Sequence, residues 1–385
     1  MFLDKLPKPF FILAPMDDVT DSVFRQIVAD CAKPDLFFTE FVNVDGLQSP
    51  GRQKLLHKLQ FAPKEQPLIA QLWGLKPENF YKTVKQIRDG SLLEEIEYLK
   101  NKQSPERLGL EGVQGTDEQR TKAYSQYSAG AAQSVTQQSV KSSGRATGFA
   151  SGQGGAAKTL EFGGVDLNMG CPVKAVIKNG ACAALINNKT LAGDIIDAVQ
   201  EAAGQTLPVS VKTRVGFTSV DMSWPEFLLG KKLNMLSIHG RTAKQESATP
   251  ADWGLIGQVR QMRDALCPAT LIVGNGDVAS RAQGAELAKQ YGLDGIMIGR
   301  GIFHDPFIFA TQSPWGQWSK EQKLDLFKKH IELHIATYKN KERRFETLRK
   351  FCKVYINGFD GAAELRAKFM QTTTAEQALD LLNKN

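Results

Sequence analysis

The sequence predicts a parallel (β/α)8 TIM barrel followed by an all-α helical C-terminal domain. Three observations lead there. Short apolar runs alternate with helical patterns eight times between residues 10 and 299. The residues able to carry chemistry stand at the downstream ends of those runs, which is where a barrel keeps its active site. After Pro314 the strand-like runs stop and only helical spacing remains. A doubly wound open sheet competes, but eight units and chemistry at successive strand ends favour closure.

In chain order, Phe10-Phe11-Ile12-Leu13-Ala14 forms the first strand, closed by Pro15. Thr20 is expected to cap a helix whose apolar face is Val23, Phe24 and Ile27. Residues 36–39 and 67–73 make strands two and three, and Pro77 opens a third helix carrying Phe80, Val84 and Ile87. Strand four is Gly164-Val165-Asp166-Leu167-Asn168-Met169, ended by Gly170 and Pro172 on either side of Cys171. A lone cysteine is ordinarily buried and inert, so this stretch by itself leaves an inert thiol and a reactive one both open. Helical spacing follows through Ile186 and over 191–203. Strands five to eight fall at 209–213, 235–239, 271–274 and 295–299, with helices at 224–232, 253–266 and 281–291.

Residues 91–160 interrupt the rhythm as an insertion between helix 3 and strand 4. Its first part, 92–102, reads as a charged helix. Residues 103–158 are low-complexity, rich in Gln, Ser, Gly, Ala and Thr, and read as a linker excursion on the bottom face with no catalytic role, a specific interaction segment being the alternative. The barrel domain is therefore placed at 1–315 and the helical domain at 316–385, with helices over 321–338, 343–356, 362–370 and 375–382, the last capped by Thr374.

Composition narrows the function classes. The five cysteines, Cys31, Cys171, Cys182, Cys267 and Cys352, are widely spaced with no CxxC pair, which argues against a disulfide framework or a metal site and for a reducing, cytoplasmic setting. Residues 1–10 contain Pro7 and Pro9 and no long apolar run, so no signal peptide or membrane span is expected. The net charge is +7, and residues 319–385 hold 14 Lys and Arg against 9 Asp and Glu. A basic tail points to a polyanionic partner, although a solvated helix face would look the same. No obligate protein partner is inferred.

The strand ends supply the site. Strand one is followed by Ala14, Pro15 and Met16. On strand three, Ile69, Gln71 and Trp73 share a face. Strand four ends in Asn168 and Cys171, and Lys212 and Arg214 on strand five alternate with apolar residues and so point into the mouth. His239 and Arg241 follow strand six, Asn275, Gly276 and Asp277 strand seven, and Gly299 and Arg300 strand eight. Two glycine-rich ends on strands seven and eight are a phosphate-binding arrangement, because glycine lets backbone N–H groups approach an anion. An inward lysine requires a partner, and an anionic cofactor supplies one. Phosphate, lysine and a set of side-chain amides together suit FMN. His239 reads either as a cofactor contact or as a satisfied core group, with its neighbours favouring the former. Trp224 and Trp253 read as packing residues.

Ala14-Pro15-Met16-x-x-Val19-Thr20-Asp21-x-x-Phe24-Arg25 resembles the opening motif of the tRNA-dihydrouridine synthases. Gln71-Leu72-Trp73-Gly74, Asp166-Leu167-Asn168-Met169-Gly170-Cys171-Pro172 and Val211-Lys212-Thr213-Arg214 are similar to that family, as are Ile238-His239-Gly240-Arg241-Thr242, Gly274-Asn275-Gly276-Asp277-Val278 and Ile298-Gly299-Arg300-Gly301. The resemblance implies an FMN-binding barrel with a helical tRNA-binding domain, and reduction of uridine in tRNA to 5,6-dihydrouridine with NADPH as reductant. It further implies that Ala14, Pro15 and Met16 line the flavin and that Gln71, Lys212 and His239 bond its ring. Asn275, Gly276 and Asp277 would meet the ribityl-phosphate, and Gly299 and Arg300 the phosphate. Asn168 would orient the uracil, and Cys171 would give a proton to C5 as flavin N5 gives hydride to C6. Arg214 and Arg241 would face the substrate, and Arg343, Arg344, Arg349, Lys350 and Lys353 the RNA phosphates. Two features depart from the family pattern: the insertion, and the loop 244–250, which lacks the expected tyrosine and glycine. Rival readings are an FMN barrel acting on a free pyrimidine, and a tRNA-binding protein without catalysis.

Overall fold

The computed structural model describes residues 2–102, 160–338 and 343–385. The expected linker at 103–158 lies outside the described residues. Eight parallel strands close a barrel: β1 (Phe10–Leu13), β2 (Leu36–Phe38), β3 (Leu68–Trp73), β4 (Gly164–Met169), β5 (Val209–Arg214), β6 (Met235–His239), β7 (Leu271–Asn275) and β8 (Gly295–Ile298). Closure runs through β1 against β8, with Ile12 opposite Met297, and through β2 against β3, with Phe38 opposite Ile69. A two-residue strand, Val42–Asn43, adds to the upper end of β3. The TIM barrel expected from the alternating pattern is the fold observed.

The barrel interior changes character from bottom to top. Its floor is apolar, built from Phe10, Ile12, Leu36, Phe38, Ile69, Met235, Val273 and Met297. Toward the C-terminal ends of the central strands the side chains turn polar, with Gln71, Asp166, Asn168, Ser210, Lys212 and Asn275. A dry floor under polar strand ends is what fixes the chemistry at one face. Trp224 is fully buried and donates from Nε1 to Thr213 Oγ1 at 2.9 Å, which makes it a brace for β5.

Several local expectations are adjusted. Helix α1 (Ser22–Ala32) is capped by Asp21, whose Oδ1 accepts from the Phe24 N–H at 2.8 Å, and not by Thr20. The Thr20 hydroxyl is already engaged with the backbone of Met16, accepting from its N–H at 2.9 Å. The third barrel helix is α2 (Pro77–Arg88), followed by α3 (Ser91–Lys102), as read from the sequence. Helices α4 (Lys189–Ala203), α5 (Ser223–Gly230), α6 (Trp253–Leu266) and α7 (Arg281–Tyr291) complete the outer layer.

The C-terminal helices are α8 (Lys320–Thr337), α9 (Ala362–Phe369) and α10 (Ala375–Asn383), the last capped by Thr374 as expected. The helix expected over 343–356 is instead a 3-10 run, Phe345–Phe351, passing into a single α turn, Cys352–Tyr355. Three residues per turn aligns Phe345, Leu348 and Phe351 on one inward face. Phe24 of α1 lies against this face, its ring 4.6 Å from Phe351 and 5.8 Å from His330 of α8. Among the described residues, 2–96, 160–338 and 343–385 form one compact unit.

A buried ion pair ties α1 to the approach to β3. Arg25 and Glu65 are both fully buried, with Arg25 Nε 2.6 Å from Glu65 Oε2. The remaining guanidinium nitrogens donate to the carbonyls of Thr20 and Gln60, and Glu65 also accepts from Ser22 and the Ala62 N–H. Glu65→Ala leaves the guanidinium buried and unpaired and is expected to cost roughly 3–5 kcal/mol. Urea unfolding reads this as a lowered midpoint, and an unchanged midpoint would contradict the assignment.

Candidate active site

Two cavities open at the C-terminal face and share Pro15, Met16 and Lys212. The first encloses about 390 Å³ and is lined by Ala14, Lys212, His239, Asn275, Gly276, Asp277, Gly299, Arg300 and neighbours that include Gly301 and His304. The second encloses about 330 Å³ and holds Asp17, Phe41, Gln71, Asn168, Cys171, Val173 and Arg214. The residues expected for a cofactor thus gather in the first cavity, except Gln71, which lies in the second. His304 was not anticipated. It follows the 3-10 turn after β8, beyond the strand-end positions that the barrel pattern marks.

Two glycines of the first cavity, Gly276 and Gly301, are required by close contact. Gly276 has φ +132°, and a Cβ there would lie 2.5 Å from the Ala251 Cβ and 3.1 Å from the His239 ring. A Cβ on Gly301 would meet the Val278 carbonyl oxygen at 2.5 Å, so the loops after β7 and β8 touch at this point. Asp277 clamps the arrangement. Its carboxylate pairs with Arg241 and with Arg300 at 3.0 Å, and accepts from the Ala251 N–H at 2.9 Å.

Arg241 requires correction as a substrate-facing residue. It is 2% exposed and lines neither cavity. Its guanidinium is spent on Asp277, the Thr249 carbonyl and His239. Its Nη1 lies 3.1 Å from His239 Nε2; a guanidinium only donates, so Nε2 accepts and the ring proton sits on Nδ1. Burial, then the charges of Lys212, Arg214, Arg241 and Arg300, hold His239 far below the usual histidine range. It is a neutral hydrogen-bonding group at neutral pH.

Lys212 joins the two cavities. Burial first, and Arg214 second, push it down to about 8, against the opposing charge of Asp166. It remains mostly protonated at neutral pH and is short of negative charge. A cavity of this size, ringed by Lys212 and Arg300 and floored by two glycine loops, suits an anionic small molecule.

In the second cavity the Cys171 loop is held from three sides. Asn168 Oδ1 accepts from the N–H groups of Gly170 at 3.2 Å and Cys171 at 3.0 Å. Arg214 Nε donates to the Gly170 carbonyl at 2.9 Å, and the Ala183 N–H donates to the Cys171 carbonyl at 3.3 Å. Arg214 also bonds the Thr242 and Glu246 carbonyls, so it braces the loops while lining the cavity. Burial raises the Cys171 thiol above its ordinary value, outweighing the Val173 N–H, Lys212 and Arg214. Cys171 is partly exposed and lines this cavity together with Lys212 and Arg214.

Arg343 also requires correction as a phosphate contact. Its side chain is 3% exposed and pairs with Glu40, a fully buried carboxylate just past β2, and lies 3.5 Å from Asp21 and 3.7 Å from Asp18. Glu40 itself went unread in the sequence, although an acid directly after Leu36-Phe37-Phe38-Thr39 marks a strand end as clearly as Met16 does. Asp166 was likewise quoted only within a motif. The alternation that turned Val165, Leu167 and Met169 one way puts Asp166 beside Asn168 on the other. Arg344, Lys350 and Lys353 are exposed, and Lys350 reaches the Asp18 carbonyl at 2.7 Å.

A closed parallel barrel whose mouth carries a cationic, glycine-floored cavity beside a protonated thiol belongs to the TIM-barrel enzymes. The dihydrouridine synthase (Dus) family model matches residues 12–97 and 150–385, so the chain belongs to the dihydrouridine synthase family. A Staphylococcus aureus (strain COL) protein described as a probable tRNA-dihydrouridine synthase is 38% identical over 386 residues, covering 100% of this chain and 95% of its own. A Bacillus subtilis (strain 168) protein, a probable tRNA-dihydrouridine synthase 2, is 37% identical over 385 residues, covering 99% and 95%. Among solved structures, morphinone reductase in complex with tetrahydroNAD aligns with a TM-score of 0.43 and 11% identity, covering 82% of this chain and 91% of its own.

The state of Cys171 is directly testable. Alkylation by iodoacetamide, followed peptide by peptide, is expected to rise at more alkaline pH for Cys171 than for a free cysteine-containing peptide. A profile displaced to lower pH would reveal a resting thiolate.

Proposed function

We propose that this protein reduces uridine in tRNA to 5,6-dihydrouridine, with FMN as its cofactor and NADPH as reductant. The observation that carries the reading is the meeting of two cavities at Lys212 and Met16, one shaped for an anionic cofactor and one presenting a protonated thiol. The residues fit FMN. The loops at Asn275, Gly276 and Asp277 and at Gly299 and Arg300 offer backbone N–H groups and a cation to a phosphate, and Lys212 and neutral His239 offer hydrogen bonds to a polar ring edge. Ala14, Pro15 and Met16 supply the apolar wall. When bound, the flavin supplies the hydride that C6 of the uracil receives.

The chain's own part is the proton. Cys171 Sγ–H gives its proton to C5, the C5–C6 double bond becomes single, and the thiolate regains a proton from solvent. Lys212 and Arg214 stand near enough to stabilise the thiolate that forms. Asn168, in the same cavity, orients the uracil. Gln71 accepts from Asn168 inside the barrel and lines the second cavity, from which it would bond the flavin ring.

To reach this depth a uridine has to leave its stack, at a cost of a few kcal/mol. We assign the compensating phosphate contacts to Arg344, Lys350 and Lys353, which are exposed on the C-terminal part beginning at residue 316. Such a basic surface favours tRNA over a free pyrimidine as substrate. Among the described residues no helix is long and apolar enough to cross a membrane.

Three outcomes test the reading. Flavin-loaded protein with NADPH is expected to form dihydrouridine in tRNA that lacks it, as detected by mass spectrometry of the nucleosides; unchanged tRNA would refute the activity. Cys171→Ala is expected to keep bound flavin and NADPH oxidation while dihydrouridine formation falls about 100-fold or more. Full activity in that variant would assign the proton to another group. Because Lys212 loses its charge near pH 8 in the free protein, FMN affinity is expected to be level below that pH and to fall by about tenfold per pH unit above it. Flavin fluorescence titration gives the profile, and Lys212→Met should flatten it.

A further inference from the structure

Asp166 is fully buried inside the barrel and lines neither cavity. Both of its carboxylate oxygens are engaged. Ser210 Oγ donates to Oδ1 at 2.6 Å, and Gln71 Nε2 donates to Oδ2 at 2.7 Å. Gln71 Oε1 accepts in turn from Asn168 Nδ2 at 3.3 Å. Asn168 Oδ1 accepts from the backbone N–H groups of Gly170 and Cys171. These bonds make one chain from a buried carboxylate to the backbone of the reactive cysteine.

The chain has a direction, and both ends impose it. An ionised carboxylate only accepts, so Gln71 has to turn its NH2 toward Asp166 and its oxygen toward Asn168. Asn168 then has to give its NH2 to Gln71, which leaves its oxygen for the Cys171 loop. At the far end the backbone N–H groups only donate, which demands the same oxygen. Flipping either amide would set donor against donor or acceptor against acceptor in a dry interior, where mismatched polar groups are costly. Asp166 stays an acceptor at neutral pH. Burial raises its carboxyl to about 6, and Ser210, Gln71 and the charge of Lys212 oppose the rise.

We propose that Asp166 is the positioning residue for Cys171: its carboxylate orders the Gln71 and Asn168 amides so that Asn168 holds the cysteine loop over the second cavity. The catalytic consequence rests on Cys171 being the proton donor; the positioning itself does not.

The test uses the full chain in two arms. In protein without flavin, Asp166→Ala is expected to loosen the loop, so that iodoacetamide modifies Cys171 severalfold faster and at lower pH than in the parent, while Cys31, Cys182, Cys267 and Cys352 serve as internal references. An unchanged rate and profile would overturn the proposal. In flavin-loaded, reduced protein, Asp166→Ala is expected to slow reoxidation by tRNA about 100-fold, as a misplaced reacting group does. The same change on a Cys171→Ala background should add little; an additive loss would mean Asp166 acts elsewhere. Should Cys171→Ala alone reoxidise at the parent rate, the proton-donor reading fails and the alkylation arm still decides the positioning.

If Asp166→Ala does not fold, a reciprocal exchange replaces it. Gln71→Glu alone faces two carboxylates toward each other and should accelerate Cys171 alkylation. Adding Asp166→Asn restores a donor opposite an acceptor, now with residue 166 donating to residue 71, while Asn168 still gives its NH2 to residue 71 and its oxygen to the Cys171 loop, and should return the rate toward that of the parent. No recovery in the double variant would refute the directed chain.

Discussion

One constraint shapes the mouth of this barrel: a lysine is held where water is scarce. Lys212 stands on β5 opposite Asn168 of β4 and Ser237 of β6, and it lines both cavities. A charged ammonium in such a place is unfavourable unless negative charge or hydrogen-bond acceptors are near. The neighbourhood supplies less than a full counter-charge. Asp166 is close enough to act on Lys212, but its oxygens are taken by Ser210 and Gln71. Asp277 is taken by Arg241 and Arg300. The site is therefore poised for an anion, and the flavin assignment follows from this deficit more than from cavity shape.

The same crowding of cations sets the states of the other groups. Burial acts first on His239, and four positive side chains add to it, so the ring stays neutral with its proton fixed on Nδ1 by the donor Arg241. Asp277 pairs with both Arg241 and Arg300 and accepts from the Ala251 N–H, which ties the loops after β6, β7 and β8 together. Farther out, Glu40 and Arg343 join the region after β2 to the chain entering the last helices, and Lys350 bonds the Asp18 carbonyl on the same side. Loop positions near Met16 are thus coupled to residues of the C-terminal part, which the proposed RNA contacts flank.

Most of the barrel was legible because its strands are short apolar runs with chemistry at their ends, and eight of them leave few other architectures. Asn275, Gly276, Asp277, Gly299 and Arg300 could be placed without coordinates because glycine-rich strand ends have few uses. What escaped reading depends on partners distant in the chain. Arg343 looks like any member of a basic cluster until Glu40, some 300 residues earlier, is beside it. Arg241 looks available for substrate until Asp277 claims it. Thr20 and Asp21 are both good caps, and the choice turned on Met16, whose backbone takes the threonine. Helical periodicity over 343–356 did not separate a 3-10 run from an α-helix, because Phe345, Leu348 and Phe351 suit a spacing of three as well as a helix does.

The protonation of Cys171 brings these threads together. A cysteine among cations ordinarily tends toward thiolate, since each positive charge favours the ionised form. Lys212 and Arg214 do act in that direction here, yet burial outweighs them and the thiol rises. Both effects would serve the acid proposed above. At rest, the scarcity of water keeps the proton on sulfur. In the proposed reaction, as the proton moves to carbon, negative charge would appear on sulfur in the same dry space, where Lys212 and Arg214 would interact with it more strongly than in water. The cations therefore contribute more as charge develops than they do in the resting enzyme, which is the condition for lowering a barrier and not merely tightening binding. A more exposed cysteine would ionise more readily and would lose the proton that the proposed role requires.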